Sequence, residues 1–297
     1  GNKEVILELK KELEFDADVL IIDPKDEDSE AKRKRYAAKF FEARKRSGVT
    51  LYGANTKMRE RNYFGAMMVM EGDADGMISG HSRAYANVVK PIFEVIGKAN
   101  NVSKAATAHI MITQRGPLIL SDTSINIDPN SEELAEIAQM TANLGVAFGF
   151  DPVLALLSYS NFGSSNHPHA VKVREAIKML HARNPELVVD GEIQTDFALN
   201  KNLRKSQFPF STLGSKKVNT LIFPNLESAN ITYKLLKELH AADSIGPIML
   251  GLRKAVHVLQ LGASVEEMVN MTAVAVIDAQ EREKRRKIKM GLSNQTD

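Results

Sequence analysis

The sequence of 297 residues contains no cysteine. It can therefore form no disulfide, no thiolate nucleophile and no Cys-ligated zinc site, which fits a reducing compartment. It also contains no apolar run approaching the ~20 residues that a bilayer-spanning helix needs. No charged-then-apolar signal segment stands at its start. We therefore expect a cytoplasmic protein that has no contact with a membrane.

The sequence also lacks a large excess of either positive or negative charge. Lys and Arg number 39 against 37 Asp and Glu, so the net charge is only +2. This balance gives no reason to expect a nucleic-acid partner. A G-x-G-x-x-G element, the fingerprint of dinucleotide binding, is absent as well. What the chain has is length enough for two domains or one large α/β unit, and 43% hydrophobic residues to build a core.

Predicted strands alternate with predicted helices along the whole chain, which favours α/β layers with largely parallel sheets. A strand is predicted at Asp18–Asp23, and a hairpin-like pair at Thr107–Thr113 and Leu118–Asp122. Helices are predicted at Leu226–His240 and from Ser264 to about Lys284. The second of these begins with the capping box Ser264–Glu267.

Small polar residues gather where predicted strands end. The loop Ser158–His167 follows a buried strand and precedes a helix, a placement that suits a phosphate or nucleotide group. Ser79 and Gly80 form a similar strand-to-helix turn, which is equally consistent with a simple tight turn. The run Asp190–Asp196, D-G-E-I-Q-T-D, offers carboxylates for general acid–base work. We favour a hydrogen-bond network that shapes a cleft.

The segment Gly246–Gly262 reads G-P-I-M-L-G-L-R-K-A-V-H-V-L-Q-L-G. A turn is predicted at Gly246-Pro247, followed by a short apolar run. A basic pair, Arg253-Lys254, then precedes an alternating run that is interrupted by His257 and Gln260. By itself this pattern is typical of a buried strand and turn, although polar interruptions at strand ends also line ligand crevices.

Several motifs resemble one family. The segment Lys254–Gly262, K-A-V-H-V-L-Q-L-G, is similar to K-P-V-N-D-L-S-R-G of phosphate acetyltransferases. It is closer to K-P-V-H-V-L-Q-R-G of the phosphotransacetylase-like C-terminal domain of large bacterial NADP-dependent malic enzymes. R-N-Y-F-G-A-M-M-V, G-D-A-D-G-M-I-S-G, D-G-E-I-Q-T-D and V-N-T-L-I-F-P-N-L-E-S-A-N also resemble this family, from about Val19 to Gln280.

The resemblance implies an α/β fold of two αβα lobes with a cleft between them, similar to isocitrate and isopropylmalate dehydrogenases. The first lobe would be discontinuous, comprising residues 1–105 and 246–297. The second would comprise residues 106–245. The segment Gly246–Gly262 would then face the loops Ser158–His167 and Gly191–Asp196 across the cleft.

The same resemblance argues against acetyl transfer by this chain. Where the family has Asp, Ser and Arg, the sequence has Val258, Gln260 and Leu261, so a base, a hydroxyl and a phosphate-binding fork are missing. The family's Asn is His257, which could replace the base because imidazole titrates near neutrality. We expect no catalytic residue and no metal site in this chain.

We expect a regulatory and oligomerisation domain that binds acetyl-CoA as an allosteric effector. NADP and a divalent metal are expected only in a covalently linked N-terminal malic-enzyme domain, and a homo-oligomer, at least a dimer, is implied. The candidate ligand-binding residues are Ser79, Ser160, Ser164, Ser165, Asn166, Arg174, Lys254, His257 and Gln260.

Two alternatives remain open. The first is an active phosphate acetyl- or butyryltransferase with a rearranged site. The second is a purely structural dimerisation domain with a vestigial cleft, whose contacts would be the apolar faces of the two C-terminal helices. Turnover of acetyl phosphate would distinguish the first alternative from a regulatory domain. Absence of ligand binding would distinguish the second.

Overall fold

The computed structural model describes residues 1–291, which contain eight strands and eleven α-helices. The strands are β1 (Gly76–Ser79), β2 (Ala106–Thr113), β3 (Gly116–Ser121), β4 (Val153–Leu157), β5 (Val188–Ile193), β6 (Thr220–Ile222), β7 (Ala242–Leu250) and β8 (Ala255–Val258). The helices are α1 (Lys3–Glu12), α2 (Glu30–Arg44), α3 (Leu51–Lys57), α4 (Arg61–Glu71), α5 (Tyr85–Val95), α6 (Ser131–Ala147), α7 (Pro168–Arg183), α8 (Thr195–Leu199), α9 (Lys201–Gln207), α10 (Leu226–Glu238) and α11 (Val265–Lys289).

Six strands form the larger sheet, in the order β5-β4-β6-β3-β2-β7. The pairs β5–β4, β4–β6 and β6–β3 are parallel. The pairs β3–β2 and β2–β7 are antiparallel. A smaller sheet pairs β1 with β8 in parallel. The predicted α/β fold class is therefore confirmed, and the predicted pair of strands around residues 114–117 is present as β2 and β3.

The larger sheet is covered on both faces, because successive side chains of a strand point to opposite sides. Ala108 and Ile110 of β2 pack with α6, α7 and the first half of α11. Met111 of β2 packs in a second core, which also contains Tyr233 of α10. His109, two residues before Met111, lies on that second face and stacks on the Tyr233 ring.

The smaller sheet has a core of its own. Val256 and Val258 of β8 pack against α2, α4 and α5, and this core includes the buried rings of Tyr36 and Phe40. The segment Gly246–Gly262 thus contributes the end of β7 to the larger sheet and the whole of β8 to the smaller one. Residue 246 falls inside β7, and the exact boundary between two lobes stays a prediction.

Two neighbouring stretches of chain connect the larger sheet to the smaller one. The Ala99 amide donates to the Gly251 carbonyl at 2.8 Å, and the Arg253 amide donates to the Gly97 carbonyl at 3.1 Å. Lys98 and Leu252 form an antiparallel bridge between these bonds. We call residues 97–99 and 251–253 the paired connection. Both passages of the described chain from one sheet to the other run through it.

Two local predictions are wrong. Residues 18–23 form no strand: they pair with no strand of either sheet, and a strand needs a partner for its backbone groups. Gly246-Pro247 is no turn but part of β7. A Cβ on Gly246 would come within 2.6 Å of the His109 ring, so glycine lets β7 continue past this histidine.

None of the helices within residues 1–291 is both long and apolar enough to cross a membrane.

Candidate functional site

A buried carboxylate holds together the polar loop that follows β4. Glu192 is fully buried. It accepts hydrogen bonds from the Ser160 hydroxyl at 3.0 Å, the Gly163 amide at 2.8 Å and Arg174 Nε at 3.1 Å. Arg174 Nη2 also donates to the Ser165 carbonyl at 2.7 Å. We call Glu192, Ser160, Gly163 and Arg174 the Glu192 cluster.

Ser160 and Arg174, which the sequence predicted to bind an external ligand, donate to Glu192 instead. Burial opposes the ionisation of Glu192, but the hydrogen bonds from Arg174, Gly163 and Ser160 outweigh it and lower the pKa of the carboxyl. Ser160 and Arg174 therefore already have an anion, supplied by the chain itself. Asp190 is likewise engaged, by the Ser211 hydroxyl at 2.8 Å and the Thr212 amide at 2.7 Å.

The rest of this loop is closer to solvent. Ser164 is exposed and its hydroxyl lies 2.9 Å from that of Ser160. Ser165 is half-buried and its hydroxyl lies 3.0 Å from that of Tyr159. Asn166 is exposed. Of the predicted ligand-binding residues of this loop, these three remain accessible.

His257 belongs to a separate buried cluster between β7, β8 and α11. Its side chain is 1% exposed. Nδ1 accepts the Met249 amide hydrogen at 3.2 Å, and Nε2 lies 3.3 Å from Asp278 Oδ2. Asp278 Oδ1 also accepts a hydrogen bond from Arg282 Nε at 2.8 Å, and Arg282 Nη1 donates to the Leu252 carbonyl at 2.8 Å. Burial opposes ionisation of Asp278, but His257 and Arg282 outweigh it and lower its pKa.

These contacts fix the tautomer of His257. A backbone amide can only donate, so Nδ1 is the acceptor and Nε2 carries the hydrogen that faces Asp278. Nδ1 is therefore engaged, whereas Nε2 and Asp278 Oδ2 are buried 3.3 Å apart without forming a hydrogen bond. Because the side chain is 1% exposed, a substrate in solution does not reach Nε2.

Ser79 ends β1 and Gln260 follows the end of β8, and these two strands pair in parallel in the smaller sheet. The Ser79 hydroxyl donates to Asn62 Oδ1 at 2.7 Å, and its carbonyl accepts the Leu259 amide at 2.8 Å. Gln260 is half-buried and its Nε2 donates to the Tyr233 hydroxyl at 3.2 Å. Lys254 lies elsewhere, beside α11. The nine predicted residues are therefore spread over several places and do not form one cluster.

A histidine that sequence reasoning missed lies beside Gln260. His109 Nδ1 is 2.8 Å from the Thr123 hydroxyl, and its ring stacks on Tyr233 with centroids 4.1 Å apart. We call Thr123, His109, Tyr233 and Gln260 the His109 cluster. Burial, followed by the charge of Lys237, lowers the pKa of His109 to about 3. The available signal was a lone histidine inside an otherwise apolar strand.

His109 predicts a distinct pH dependence of stability. Its pKa is about 3 in the folded protein, whereas the ordinary value of 6.5 applies to the unfolded chain. The stabilisation is therefore complete above the unfolded-state value and is lost as pH falls from 6.5 towards 3. From about pH 7 to about pH 5, this single group should lower the free energy of unfolding by about 2 kcal/mol. Denaturant titrations across this range measure it.

The matched variant is His109→Asn, which keeps a polar atom at the δ position. It will be less stable at neutral pH because the stacking is lost. Its loss of stability between about pH 7 and about pH 5 should nevertheless be smaller than that of the wild type by about 2 kcal/mol. Equal slopes for the two proteins would mean that His109 is protonated in the folded state.

No group of three or more His, Asp or Glu side chains within residues 1–291 is arranged to hold a metal ion.

The fold is of the phosphotransacetylase type. Comparison with solved structures gives a TM-score of 0.84 and 36% identity to a phosphotransacetylase from Streptococcus pyogenes, covering 95% of this chain and 84% of that one. The EutD phosphotransacetylase from Staphylococcus aureus gives the same TM-score and coverage at 32% identity.

The chain belongs to the phosphate acetyl/butaryl transferase family, whose sequence pattern matches residues 1–276. It is 38% identical over 255 residues to the NADP-dependent malic enzyme of Escherichia coli, which covers 85% of this chain but only 34% of the enzyme. It is 37% identical over 253 residues to the phosphate acetyltransferase of Thermoanaerobacterium thermosaccharolyticum, covering 77% of that protein. The chain thus spans about a third of the malic enzyme that it matches.

Proposed function

We propose that this chain is the regulatory and oligomerising part of an NADP-dependent malic enzyme, that it binds acetyl-CoA as an effector, and that it transfers no acetyl group itself. One observation carries the proposal. At the positions where the family resemblance leads us to expect Asp, Ser and Arg, the chain has a fully buried Val258, Gln260 bonded to Tyr233, and Leu261, 69% exposed.

These replacements remove the groups that acetyl transfer needs. Val258 cannot take a proton from the thiol of coenzyme A, and Leu261 cannot hold a phosphoryl group. His257 cannot replace the base, because Met249 engages Nδ1 and Nε2 is buried beside Asp278. Each lost group typically costs about 10²–10⁴-fold in rate. Efficient turnover of acetyl phosphate is therefore not expected.

Binding of an effector does not need these groups. Ser79, Ser164, Ser165, Asn166, Lys254 and Gln260 keep solvent access and hydrogen-bonding capacity in this structure. Arg174 and Ser160 serve the Glu192 cluster instead, and His257 is internal. Of the accessible residues, Lys254 carries the charge that an anionic effector needs.

The malate chemistry would then belong to the rest of a longer enzyme. The E. coli malic enzyme has about two thirds of its length outside the match to this chain. We assign NADP, the divalent metal and malate oxidation to that other part, covalently linked to this one. Acetyl-CoA would regulate it by binding one arrangement of the assembly more tightly than another.

Oligomerisation is supported by exposed apolar side chains on the two C-terminal helices. Ile231 and Leu235 on α10 are 65% and 56% exposed, and Val265 and Val269 on α11 are 76% and 62% exposed. Apolar faces of this kind are costly in water and are typical of protein interfaces. We propose a second copy of this chain as the partner. Light scattering should give a mass of at least twice 32.8 kDa.

Titration calorimetry with acetyl-CoA, combined with an acetyl phosphate turnover assay on the same sample, tests the function. We expect saturable binding, and turnover below about 1% of that of a phosphate acetyltransferase assayed in parallel. Turnover at a comparable rate would show an active transferase with a rearranged site. Absence of both binding and turnover would leave only the structural role.

A further inference from the structure

A large cavity lies behind the paired connection, away from the His109 cluster. Its volume is about 1040 Å³, and it lies between α6, the end of β7 and α11. We call it the back pocket, and the residues of its lining that matter here are Met140, Asn143, Leu250, Arg253, Lys254 and Arg285.

The back pocket and the His109 cluster lie on opposite faces of the larger sheet. Leu250, which lines the pocket, packs in the same core as Ala108 and Ile110 of β2. His109 lies between these two residues, so its side chain points to the other face. A ligand in the back pocket would therefore not touch His109 or Tyr233.

The lining of the back pocket has one more cation than carboxylates. Its charged residues are Arg183, Arg253, Lys254, Arg282, Arg285 and Arg286, and Asp75, Glu136, Asp278, Glu281 and Glu283. Arg253, Lys254 and Arg285 line it, and within residues 1–291 none of the three has a carboxylate at salt-bridge distance. Arg253 Nε is bound only to the Ile96 carbonyl, at 2.6 Å. Other cations of the lining are neutralised, as Arg282 is by Asp278 and Arg286 by Glu283. The three remaining cations can bind phosphate groups.

The opposite wall is apolar. Met140 and Leu144 of α6, Leu250 of β7 and Val274 of α11 contribute side chains to the lining. The volume is at the upper end of the range, roughly 300–1,000 Å³, in which proteins hold cofactor-sized ligands. Phosphate-binding cations beside an apolar wall fit a ligand that combines phosphates with an uncharged arm, which is the chemistry of acetyl-CoA.

We infer that the back pocket is the acetyl-CoA site of this chain, an assignment that rests on the proposed function. The pocket is also lined by Ala99, Gly251 and Leu252 of the paired connection. A ligand there contacts both stretches of chain that run from one sheet to the other within residues 1–291. It would act as an effector by binding more tightly in one relative position of the sheets than in another.

A single introduced thiol tests the location, since the chain has no cysteine of its own. Asn143 is exposed and lines the pocket, whereas Val146, on the same helix, is exposed and does not. The variants Asn143→Cys and Val146→Cys are each labelled with a bulky maleimide. Acetyl-CoA affinity should fall by about tenfold or more in labelled Asn143→Cys. It should stay unchanged in the unlabelled variant and in labelled Val146→Cys.

Charge reversal gives a second measurement. Lys254→Glu and Arg285→Glu should each weaken acetyl-CoA binding by about tenfold. Lys287→Glu makes the same charge change on α11 outside the lining and should leave the affinity unchanged. Wild-type affinity in labelled Asn143→Cys and in both charge variants would overturn the location and leave the proposed function intact. If the wild type itself binds no acetyl-CoA, the proposed function fails, and this assignment with it.

Discussion

Glu192→Ala should lower the free energy of unfolding by about 2–4 kcal/mol. The substitution removes a fully buried carboxylate and leaves Arg174, whose side chain is 27% exposed, without its counter-charge. The Ser160 hydroxyl and the Gly163 amide lose their acceptor at the same time. The buried Ser160 hydroxyl stays desolvated, whereas the partly exposed Arg174 can regain water. Chemical denaturation at neutral pH measures the loss.

Glu186→Gln is the matched control, because Glu186 precedes β5 and is exposed. It should change stability by less than about 0.5 kcal/mol. The double variant Glu192→Ala/Arg174→Ala should be less destabilised than the sum of the two single variants, since neither charge is then left alone. If the two single losses of stability simply add up in the double variant, Glu192 and Arg174 do not interact as described.

The lowered pKa of Glu192 adds a pH signature. A carboxyl whose folded pKa is depressed contributes stability above its unfolded-state value of 4.5, and this contribution is lost as pH falls below it. Wild type should therefore lose its advantage over Glu192→Ala in acid. This window overlaps the lower part of that of His109, so the effect is read as the difference between wild type and Glu192→Ala, which share the His109 contribution.

Arg204→Met should lower the free energy of unfolding by about 2–4 kcal/mol. Arg204 is 1% exposed and forms no ion pair with a carboxylate within residues 1–291. Its guanidinium donates instead to four backbone carbonyls, at 3.3, 3.1, 2.6 and 2.7 Å, which belong to Gly214, Phe197, Ala198 and Lys216. A methionine fills the space but leaves these acceptors unsatisfied.

Arg204→Lys separates charge from geometry. A lysine keeps the charge, but its three donors at one point cannot reach carbonyls on both sides of a planar fork. It should therefore be destabilised nearly as much as Arg204→Met. The neighbouring Lys205 is exposed, and Lys205→Met should be close to neutral. Full stability of Arg204→Lys would show that charge alone suffices.

These variants bear on the surroundings of the Glu192 cluster because the loop held by Arg204 also holds Asp190. Ser211 and Thr212 donate to the carboxylate of Asp190, which lies on β5 together with Glu192. Limited proteolysis of Arg204→Met should therefore cut first within residues 208–217. The polar loop after β4 and this loop are each held by a carboxylate of β5.

Local features of this protein were determined by the sequence alone. The capping box at Ser264–Glu267 is present as predicted, because its partners are three residues apart and need no tertiary contact. The alternation of helices and strands predicted the α/β class, and contiguous motifs such as D-G-E-I-Q-T-D were enough to indicate the family. Each of these signals is contained in a short stretch of chain.

The use of the polar groups was decided only by the tertiary structure. Arg174 and Ser160 contact Glu192, from which they are 18 and 32 residues away in the sequence. His257 lies beside Asp278, which is 21 residues further along the chain. A spacing pattern cannot show whether a donor faces an external anion or a carboxylate of its own chain, because the answer depends on which residues the sheets bring together. The apolar run at residues 18–23 failed as a strand for the same reason, since pairing needs a free sheet edge that no local pattern records.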